Sequence, residues 1–351
     1  MKTRSLKNYD SSVGLEVYDI DLNSNEEITE LGQIVAAQNI VFIDQKITPN
    51  RLHSIMTSWG DYSKSIVHEY ISKHKLTGRH WRQVTASLGY TTKHVDKEIS
   101  DAVTLVTFNH DSKGKPGGLF THGELDWHQD QGSIDDAPRN IGLMSINDSV
   151  NSQTQFLCTH DAYESMNSDM KSTIKELYVK HKWVPGQMAP GLNDLQQQIA
   201  RYNQVILDGT ETRLYSESVT GLPGIKFPPH SFDGFVGMSI VESQKLYDEL
   251  KRIIMKDKWV YTQNWQDGQI VFMDQEITLH CRPTNVTHGS KRTMARTAIY
   301  WNKLFSNAQP FERIRYKGQL LTRDEIINLI DEKRQEEFVN EDVVNKGLTI
   351  A

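Results

Sequence analysis

The order of apolar and polar residues at the start of the chain predicts strands that alternate with two helices. Residues 13–22 alternate apolar and polar side chains, as a half-buried strand does. Residues 26–38 carry apolar side chains at helical spacing, and the short apolar run 39–44 is typical of a buried strand. Thr48 followed by proline predicts the beginning of a second helix, which ends at Gly60.

The remainder of the chain contains many short segments of strand character and fewer helices. Strands are predicted at 82–88, 103–109, 139–147, 153–157, 214–218, 224–227, 260–265, 269–273 and 293–300. Helices are predicted at 162–180, at 241–255 and after a capping box that begins at Thr322. Many short strands with peripheral helices indicate a mainly β fold, either a β-sandwich or a double-stranded β-helix (jelly roll).

We expect a single domain over residues 1–351, because the sequence shows no internal repeat and no interdomain linker. Two long polar segments, 66–125 and 184–212, are expected to form pocket loops or a lid, since long loops in a compact domain are usually functional. Residues 301–351 are expected to form a helical C-terminal extension with a loosely held, charged end.

Composition and charge exclude some classes of function. With 37% hydrophobic and 24% charged residues, the chain resembles a globular protein with a sizeable core. A net charge of −6 gives no electrostatic footprint for nucleic acid or an anionic membrane, and no apolar run approaches the roughly 20 residues that span a bilayer. Two cysteines and an N-terminus without an apolar signal region favour the cytoplasm. Association into a homo-oligomer stays open.

The stretch Trp127-His128-Gln129-Asp130 holds the first candidate for chemistry. Side chains alternate faces along a strand, so His128 and Asp130 are expected to point the same way. An imidazole and a carboxylate on one side of a strand supply two of the three ligands of a facial metal site. The triplet alone is weak, because 13 histidines and 45 acidic residues also generate the triplets that begin at His94 and His122.

A second informative stretch, 265–300, carries a histidine and two arginines. His280 follows an apolar strand and is a candidate third metal ligand from a distant part of the chain. Arg292 and Arg296 are predicted to share one face of a strand, because their numbers differ by 296 − 292 = 4 and side chains on one face recur every second residue. Two guanidinium groups that face a barrel interior need anions, and a dicarboxylate cosubstrate offers one that arginine binds in bidentate fashion.

Together these motifs resemble the taurine dioxygenase type of Fe(II)/2-oxoglutarate-dependent oxygenases. The resemblance rests on Trp-His-x-Asp, on Asp274, Thr278 and His280, on the Arg-x-Met-x-Arg strand at 292–296, on the segment 39–49 and on the stretch 154–164. In order and spacing it covers roughly residues 13–300. One departure is that Asn151-Ser152-Gln153 stands where the family often has Gly-Gly-Asp/Glu.

The resemblance implies a double-stranded β-helix and a role for each matching residue. His128, Asp130 and His280 match the family's iron ligands. Thr154 and Arg292 match the residues that bind 2-oxoglutarate, and the arginine pairs with the far carboxylate of this cosubstrate. Two histidines and one carboxylate leave three metal positions open for the cosubstrate and O₂.

The resemblance also implies a reaction and a substrate class. Such an enzyme oxidises an unactivated C–H bond of a small polar molecule, mostly by hydroxylation, and releases succinate and CO₂. Because Asp130 stands where related halogenases have a small residue, hydroxylation or another oxidation is favoured over halogenation. Arg296 matches a position that grips an anionic group of the prime substrate in some members. If Arg296 and Glu124 both face the pocket, they suit an amino acid or a derivative.

Two other classes stay open from the sequence alone. A cupin-like hydrolase or isomerase would hold Zn²⁺ or Mn²⁺ with the same three ligands, although it does not explain the paired arginines. A non-catalytic jelly-roll binding protein would bind no iron tightly, and the intact triad argues against it. Dependence on 2-oxoglutarate distinguishes the oxygenase from the first alternative, and metal binding distinguishes it from the second.

Overall fold

The structure, a computed structural model, covers the chain in several ranges. It describes residues 1–63, 103–107, 124–135, 139–183, 194–283, 292–309 and 311–347, together with Ile66, Glu69, Tyr70 and Lys73. The strand predicted at 82–88 lies outside the described residues, as do much of the segment 66–125 and the first part of 184–212.

Most of the described chain forms strands. In chain order they are β1 (Lys2–Ser5), β2 (Leu15–Tyr18), β3 (Ile40–Asp44), β4 (Thr104–Thr107), β5 (Leu125–His128), β6 (Arg139–Asn147), β7 (Gln153–Cys158), β8 (Tyr178–His181), β9 (Glu211–Arg213), β10 (Tyr215–Glu217), β11 (Pro223–Ile225), β12 (Phe232–Phe235), β13 (Val260–Asn264), β14 (Gln269–Asp274), β15 (Thr278–Arg282), β16 (Thr293–Tyr300), β17 (Ile314–Tyr316) and β18 (Gln319–Leu321).

Helices lie between and after these strands. They are α1 (Asn25–Gln38), α2 (Pro49–Trp59), α3 (His160–Glu164), α4 (Ser168–Glu176), α5 (Asp194–Leu207), α6 (Ile240–Ile254) and α7 (Arg323–Gly347). The predicted beginning of α2 is confirmed: the Thr48 side chain accepts a hydrogen bond from the Arg51 N–H at 3.1 Å, and proline occupies the first helical position. The capping box at Thr322 is confirmed by reciprocal hydrogen bonds with Glu325.

Two sheets dominate the described part of the chain. The larger has the strand order β1-β2-β3-β14-β6-β16-β4, in which the β2–β3 pair is parallel and the other pairs are antiparallel. The smaller is antiparallel and has the order β13-β7-β15-β5. The chain crosses between them repeatedly, because the consecutive strands β4 to β7 and β13 to β16 alternate between the two sheets.

The facing sides of the two sheets share one apolar cluster, which explains the alternation along their strands. Met294 and Ala298 of β16 pack there with Phe156 of β7 and Tyr261 of β13. The opposite side of the larger sheet packs on α1 and α2, with Ala295 and Ile299 of β16 turned that way. Along β16, therefore, the side chains point in turn to the space between the sheets and to the layer formed by α1 and α2.

The outer side of the smaller sheet is covered by a second layer. A cluster that contains Leu157 of β7 and Leu279 of β15 continues into a three-stranded sheet of order β12-β8-β9 and into α6. A further cluster joins Ile66 and Tyr70 to Tyr202 of α5 and to Ile326 of α7. Described parts of the three segments expected to form loops, lid and extension thus pack together, while the single-domain organisation stays a prediction.

The helix predicted over 162–180 is wrong in its extent. The Asn167 side chain accepts a hydrogen bond from the Met170 N–H and so begins a separate helix, α4. That helix ends at Glu176, and the following residues form β8, whose neighbours are β9 and β12. Pairing with these distant strands, which the local pattern does not encode, overrides the helical spacing.

Among the described residues, no helix combines the length and apolar composition needed to cross a membrane.

Candidate metal centre

Three side chains named from the sequence meet between the two sheets. His128 at the end of β5 lies directly opposite His280 of β15, and their ring centroids are 4.2 Å apart. Asp130 follows β5 by two residues, and its Oδ1 lies 3.6 Å from His128 Nε2. One ligand atom of each of the three lies within 4.8 Å of the others. The pairing of His128 with His280, 280 − 128 = 152 positions apart, therefore joins distant segments into one cluster of possible metal ligands.

A hydrogen bond fixes which nitrogen of His128 is available. Its Nδ1 lies 2.6 Å from the carbonyl oxygen of Asp126, and because a carbonyl only accepts, Nδ1 carries the hydrogen and donates. The Nε2 lone pair is then directed at the cluster. Metal-binding histidines commonly donate their second ring nitrogen in this way, which fixes the tautomer and the ring orientation.

His280 is kept neutral by its surroundings. Burial, followed by the neighbouring His128, lowers the pKa of His280 to about 3, and metal binding requires the neutral imidazole. Its Nδ1 is buried and has no hydrogen-bond partner within the described ranges. An imidazole with an unsatisfied nitrogen beside a second imidazole and a carboxylate fits the donor set of a cation site.

Asp130 is ionised and held by an arginine. Burial acts to raise the pKa of its carboxyl, but the contacts led by the positive charge of Arg296 outweigh burial and hold this pKa well below its usual range. Arg296 Nε donates to Asp130 Oδ2 at 2.5 Å. Since Arg296 belongs to β16 and Asp130 follows β5, this ion pair links the larger sheet to the smaller one at the cluster.

The connection between β14 and β15 holds the Asp130 backbone in place. The Gln275 side-chain Oε1 accepts a hydrogen bond from the Asp130 N–H at 2.7 Å. In the opposite direction, Gln129 Nε2 donates to the carbonyl oxygens of Gln275 at 2.8 Å and Glu276 at 3.1 Å. The turn itself is shaped by Asp274, whose Oδ1 accepts from two backbone N–H groups that follow it.

Thr154 and Arg292, the predicted cosubstrate residues, both lie buried near the cluster. Thr154 shares a face of β7 with Phe156, and Phe156 is directly opposite His280. The Thr154 hydroxyl oxygen accepts a hydrogen bond from Trp265 Nε1 at 2.9 Å, so its own hydrogen is available to another acceptor. Arg292 immediately precedes β16, and strand alternation counted from Met294 predicts that it lies on the side facing the space between the sheets.

Glu124 lies apart from these residues. Its side chain is exposed and immediately precedes β5. Burial, Asp126 and Glu124 together raise the pKa of the Cys281 thiol to about 12, which indicates that both carboxylates are near Cys281. Cys281 adjoins His280 on β15 and so points to the other side of the sheet.

Sequence reasoning missed three residues that the structure brings to this region. The ring of His230, which precedes β12, stands nearly perpendicular to that of His128 with centroids 5.7 Å apart, and its Nδ1 is buried without a hydrogen-bond partner among the described residues. Gln275 was missed because amide side chains carry no motif. Arg282 was missed although it lies two residues after His280, where strand alternation places it on the same face.

Comparisons with known proteins agree with this arrangement. The family model described as "Taurine catabolism dioxygenase TauD, TfdA family" matches residues 2–298. No curated protein matches the chain. Among solved structures, a taurine dioxygenase from Burkholderia xenovorans is 17% identical, with a TM-score of 0.58 over 91% of this chain and 94% of that one. AAD-2 in complex with Mn(II) and N-oxalylglycine is 16% identical, with a TM-score of 0.58 over 85% of this chain and 96% of that one.

The chain belongs to the taurine catabolism dioxygenase TauD, TfdA family, since the match covers well over half of its length. It is an enzyme, a 2-oxoglutarate-dependent dioxygenase. Enzymes of this family use Fe(II), 2-oxoglutarate and O₂. The resemblance predicted from the sequence is thereby confirmed, and the mainly β architecture agrees with the fold of the two solved structures.

Proposed function

We propose that this enzyme is an Fe(II)- and 2-oxoglutarate-dependent oxygenase that hydroxylates an unactivated C–H bond of a small polar molecule, with release of succinate and CO₂. The observation that carries the proposal is the meeting of His128, Asp130 and His280, with one ligand atom of each within 4.8 Å of the others. This is the donor set of the facial triad that holds non-haem Fe(II) with open positions.

In this proposal His128 Nε2, a ring nitrogen of His280 and an Asp130 oxygen hold the iron. When bound, the iron supplies the oxidative chemistry with O₂ and 2-oxoglutarate. The protein contributes the geometry: the Asp126 carbonyl orients His128, while Arg296 and Gln275 fix the carboxylate and the backbone of Asp130.

We propose that Thr154 and Arg292 bind 2-oxoglutarate. The Thr154 hydroxyl can donate to a carboxylate oxygen, because Trp265 already donates to it. Arg292 contributes a buried guanidinium, a group that binds a carboxylate in bidentate fashion. The complex of AAD-2 with N-oxalylglycine, a compound with two carboxylates, supports this use of the site.

Arg296 and Glu124 are the proposed contacts to the prime substrate, and they differ in support. Arg296 uses its Nε for Asp130, which leaves four of the five N–H donors of a guanidinium for other partners. An anionic group of an amino acid or a derivative would suit them. Glu124 is exposed at the beginning of β5, and its contact with a cationic group of the substrate stays a prediction.

The remaining predictions concern the fold and the loops. We propose that the two facing sheets form a double-stranded β-helix, because consecutive strands alternate between them and their facing sides share one core cluster. A lid or pocket-loop function of the segments 66–125 and 184–212 stays a prediction. The latter contains α5 and most of β9, and α5 packs on α7.

The test is an anaerobic absorbance titration of the apo-protein with Fe(II) and then 2-oxoglutarate. We expect a weak visible metal-to-ligand charge-transfer band that needs both additions. His128→Ala should abolish it, because the variant lacks a ligand. His160→Ala is the matched control, since His160 lies on α3, outside the cluster, and its Nδ1 donates to the Pro223 carbonyl oxygen.

The outcomes separate the competing classes. Tight Zn²⁺ or Mn²⁺ binding without any band from Fe(II) and 2-oxoglutarate would favour a hydrolase or isomerase. Absence of metal binding altogether would leave a jelly-roll binding protein. If His128→Ala and wild type gave the same band, the assignment of this cluster as the iron site would be wrong.

A further inference from the structure

Arg282 is a buried cation that the proposed function does not yet use. On β15 the side chains of Leu279 and Cys281 point to one side, and Leu279 packs in the outer cluster. His280 and Arg282 therefore point to the other side, into the space between the sheets. Arg282 is 4% exposed, so its guanidinium lies inside the protein.

Arg282 and Arg292 enter this space from the same end. They flank the segment 283–291 that connects β15 to β16, and Arg292 is 5% exposed. Burial lowers the pKa of Arg282 to about 10, and burial followed by the positive charge of Arg282 lowers that of Arg292 to about 9. The two guanidinium groups are thus close enough to act on each other electrostatically.

Thr154 belongs to the same group of side chains. In the antiparallel pairing of β15 with β7, Cys281 is opposite Gln155. Continuing this register by one residue aligns Arg282 with Thr154, and residues that are opposite in an antiparallel pair lie on the same side of the sheet. Arg282 and Thr154 therefore lie on the side of the smaller sheet that faces the larger one, and Arg296 is held apart by its ion pair with Asp130.

Two neighbouring buried guanidinium groups favour an anion between them. A carboxylate that contacts both groups accepts charge-assisted hydrogen bonds from each of them, and such bonds are stronger where water is excluded. The far carboxylate of 2-oxoglutarate is such an anion, because its other end must reach the metal. A single arginine can bind a carboxylate, so the second one adds affinity and fixes the carboxylate's orientation.

We propose that Arg282 is a second anchor for the far carboxylate of 2-oxoglutarate, beside Arg292 and Thr154. The inference rests on the proposed function, because it assumes that 2-oxoglutarate binds between the two sheets. It makes Arg282 a cosubstrate-binding residue. It also predicts that loss of the far carboxylate weakens ligand binding more than it would if one arginine bound this group.

The test compares two ligands that differ only at this carboxylate. In 2-oxopentanoate a methyl group replaces the far carboxylate, while the end that chelates the metal is unchanged. The Kd of each ligand is measured from the charge-transfer band of the anaerobic Fe(II) protein. Arg282→Gln should raise the Kd of 2-oxoglutarate roughly 10- to 100-fold and leave that of 2-oxopentanoate unchanged. Cys281→Ala, on the other side of the same strand, is the control and should change neither.

Arg282→Lys keeps the positive charge but replaces the bidentate guanidinium by a single ammonium group. Compared with Arg282→Gln, it should therefore regain part of the affinity for 2-oxoglutarate and leave the affinity for 2-oxopentanoate unchanged. This variant also carries the test if Arg282→Gln does not fold. Equal weakening of both ligands would show that Arg282 merely supports the strand, and unchanged Kd values would show that it binds elsewhere; either result overturns the proposal. Absence of the band in wild type would instead refute the proposed function.

Discussion

Gln275 provides the sharpest test of how the fold positions the proposed iron ligands. Its Oε1 accepts the Asp130 N–H at 2.7 Å, and it is buried at 2% exposure. Its Nε2 makes no hydrogen bond to the described residues. Gln275→Met is similar in length and removes the acceptor, so this single interaction is the one that the substitution deletes.

The expected magnitude follows from what is left behind. The buried N–H of Asp130 loses its acceptor, which costs about 1–3 kcal/mol of the free energy of unfolding of the apo-protein. Because the backbone of Asp130 sets the position of its carboxylate, we also expect metal affinity to fall by roughly 10- to 100-fold, as for other groups that orient metal ligands.

Metal affinity is measured anaerobically by competition between the protein and a chelator for Fe(II), and stability by urea unfolding of the apo-protein. Gln155→Met is the control, because the Gln155 amide bonds to Thr262 and Cys281 and not to the cluster. A loss of stability with an unchanged metal Kd would refute the positioning role and leave Gln275 as a support of the turn. No change in either quantity would show that the hydrogen bond does not form.

Three further predictions concern the surroundings of the cluster. Arg296→Met should destabilise the apo-protein by about 1–3 kcal/mol, and by less with Mn(II) bound, since the metal then compensates Asp130; unfolding with and without Mn(II) checks this. His230→Phe keeps the edge-on ring contact and should preserve Mn(II) binding measured by calorimetry, whereas His128→Phe should abolish it. Burial raises the pKa of Asp274 to about 8, so the folded state binds more protons than the unfolded state between about pH 4 and 8. The free energy of unfolding of the wild type therefore falls as the pH rises through that window. Asp274→Asn should flatten the fall by up to about 1.4 kcal/mol per pH unit in urea unfolding, and equal slopes would contradict it.

Local signals in the sequence were sufficient for much of the fold. The proline after Thr48 and the capping box at Thr322 mark the beginnings of helices through hydrogen bonds within one turn, and both are found. Strand alternation put Met294 and Ala298 on one face of β16, and both pack in the cluster that the two sheets share; the same face for Arg292 stays a prediction. Such features depend only on neighbouring residues, which is why one sequence suffices.

Features that depend on distant strands escaped the sequence. The helix predicted over 162–180 is interrupted because β8 pairs with β9 and β12. His230 reaches the cluster from the segment before β12, in a different sheet. Gln275 is neither charged nor part of a motif, and its role comes entirely from the hydrogen bond that it accepts from Asp130.

The pairing of β5 shows how one irregularity changes the chemistry assigned to a pocket. His128 is opposite His280, but Leu125 is opposite Arg282, so the register shifts by one residue between them. Regular alternation would put Glu124 on the side of His128, whereas the shift puts it on the side of Cys281. The described side chains of the pocket then include the guanidinium groups of Arg282, Arg292 and Arg296 but only the carboxylate of Asp130 at the metal cluster.

The excess of guanidinium groups over carboxylates among these side chains bears on which charged group of the substrate is recognised. A bound Fe(II) adds two positive charges and 2-oxoglutarate brings two negative ones, so the two ligands together leave the net charge of these described side chains unchanged. An anionic group on the prime substrate would be stabilised there, while an amino group would find no carboxylate other than the metal ligand among the pocket residues described. The charges thus favour the acidic end of the proposed amino acid or derivative as the end that is recognised, and carboxylic acids without an amino group are the comparison that tests this preference.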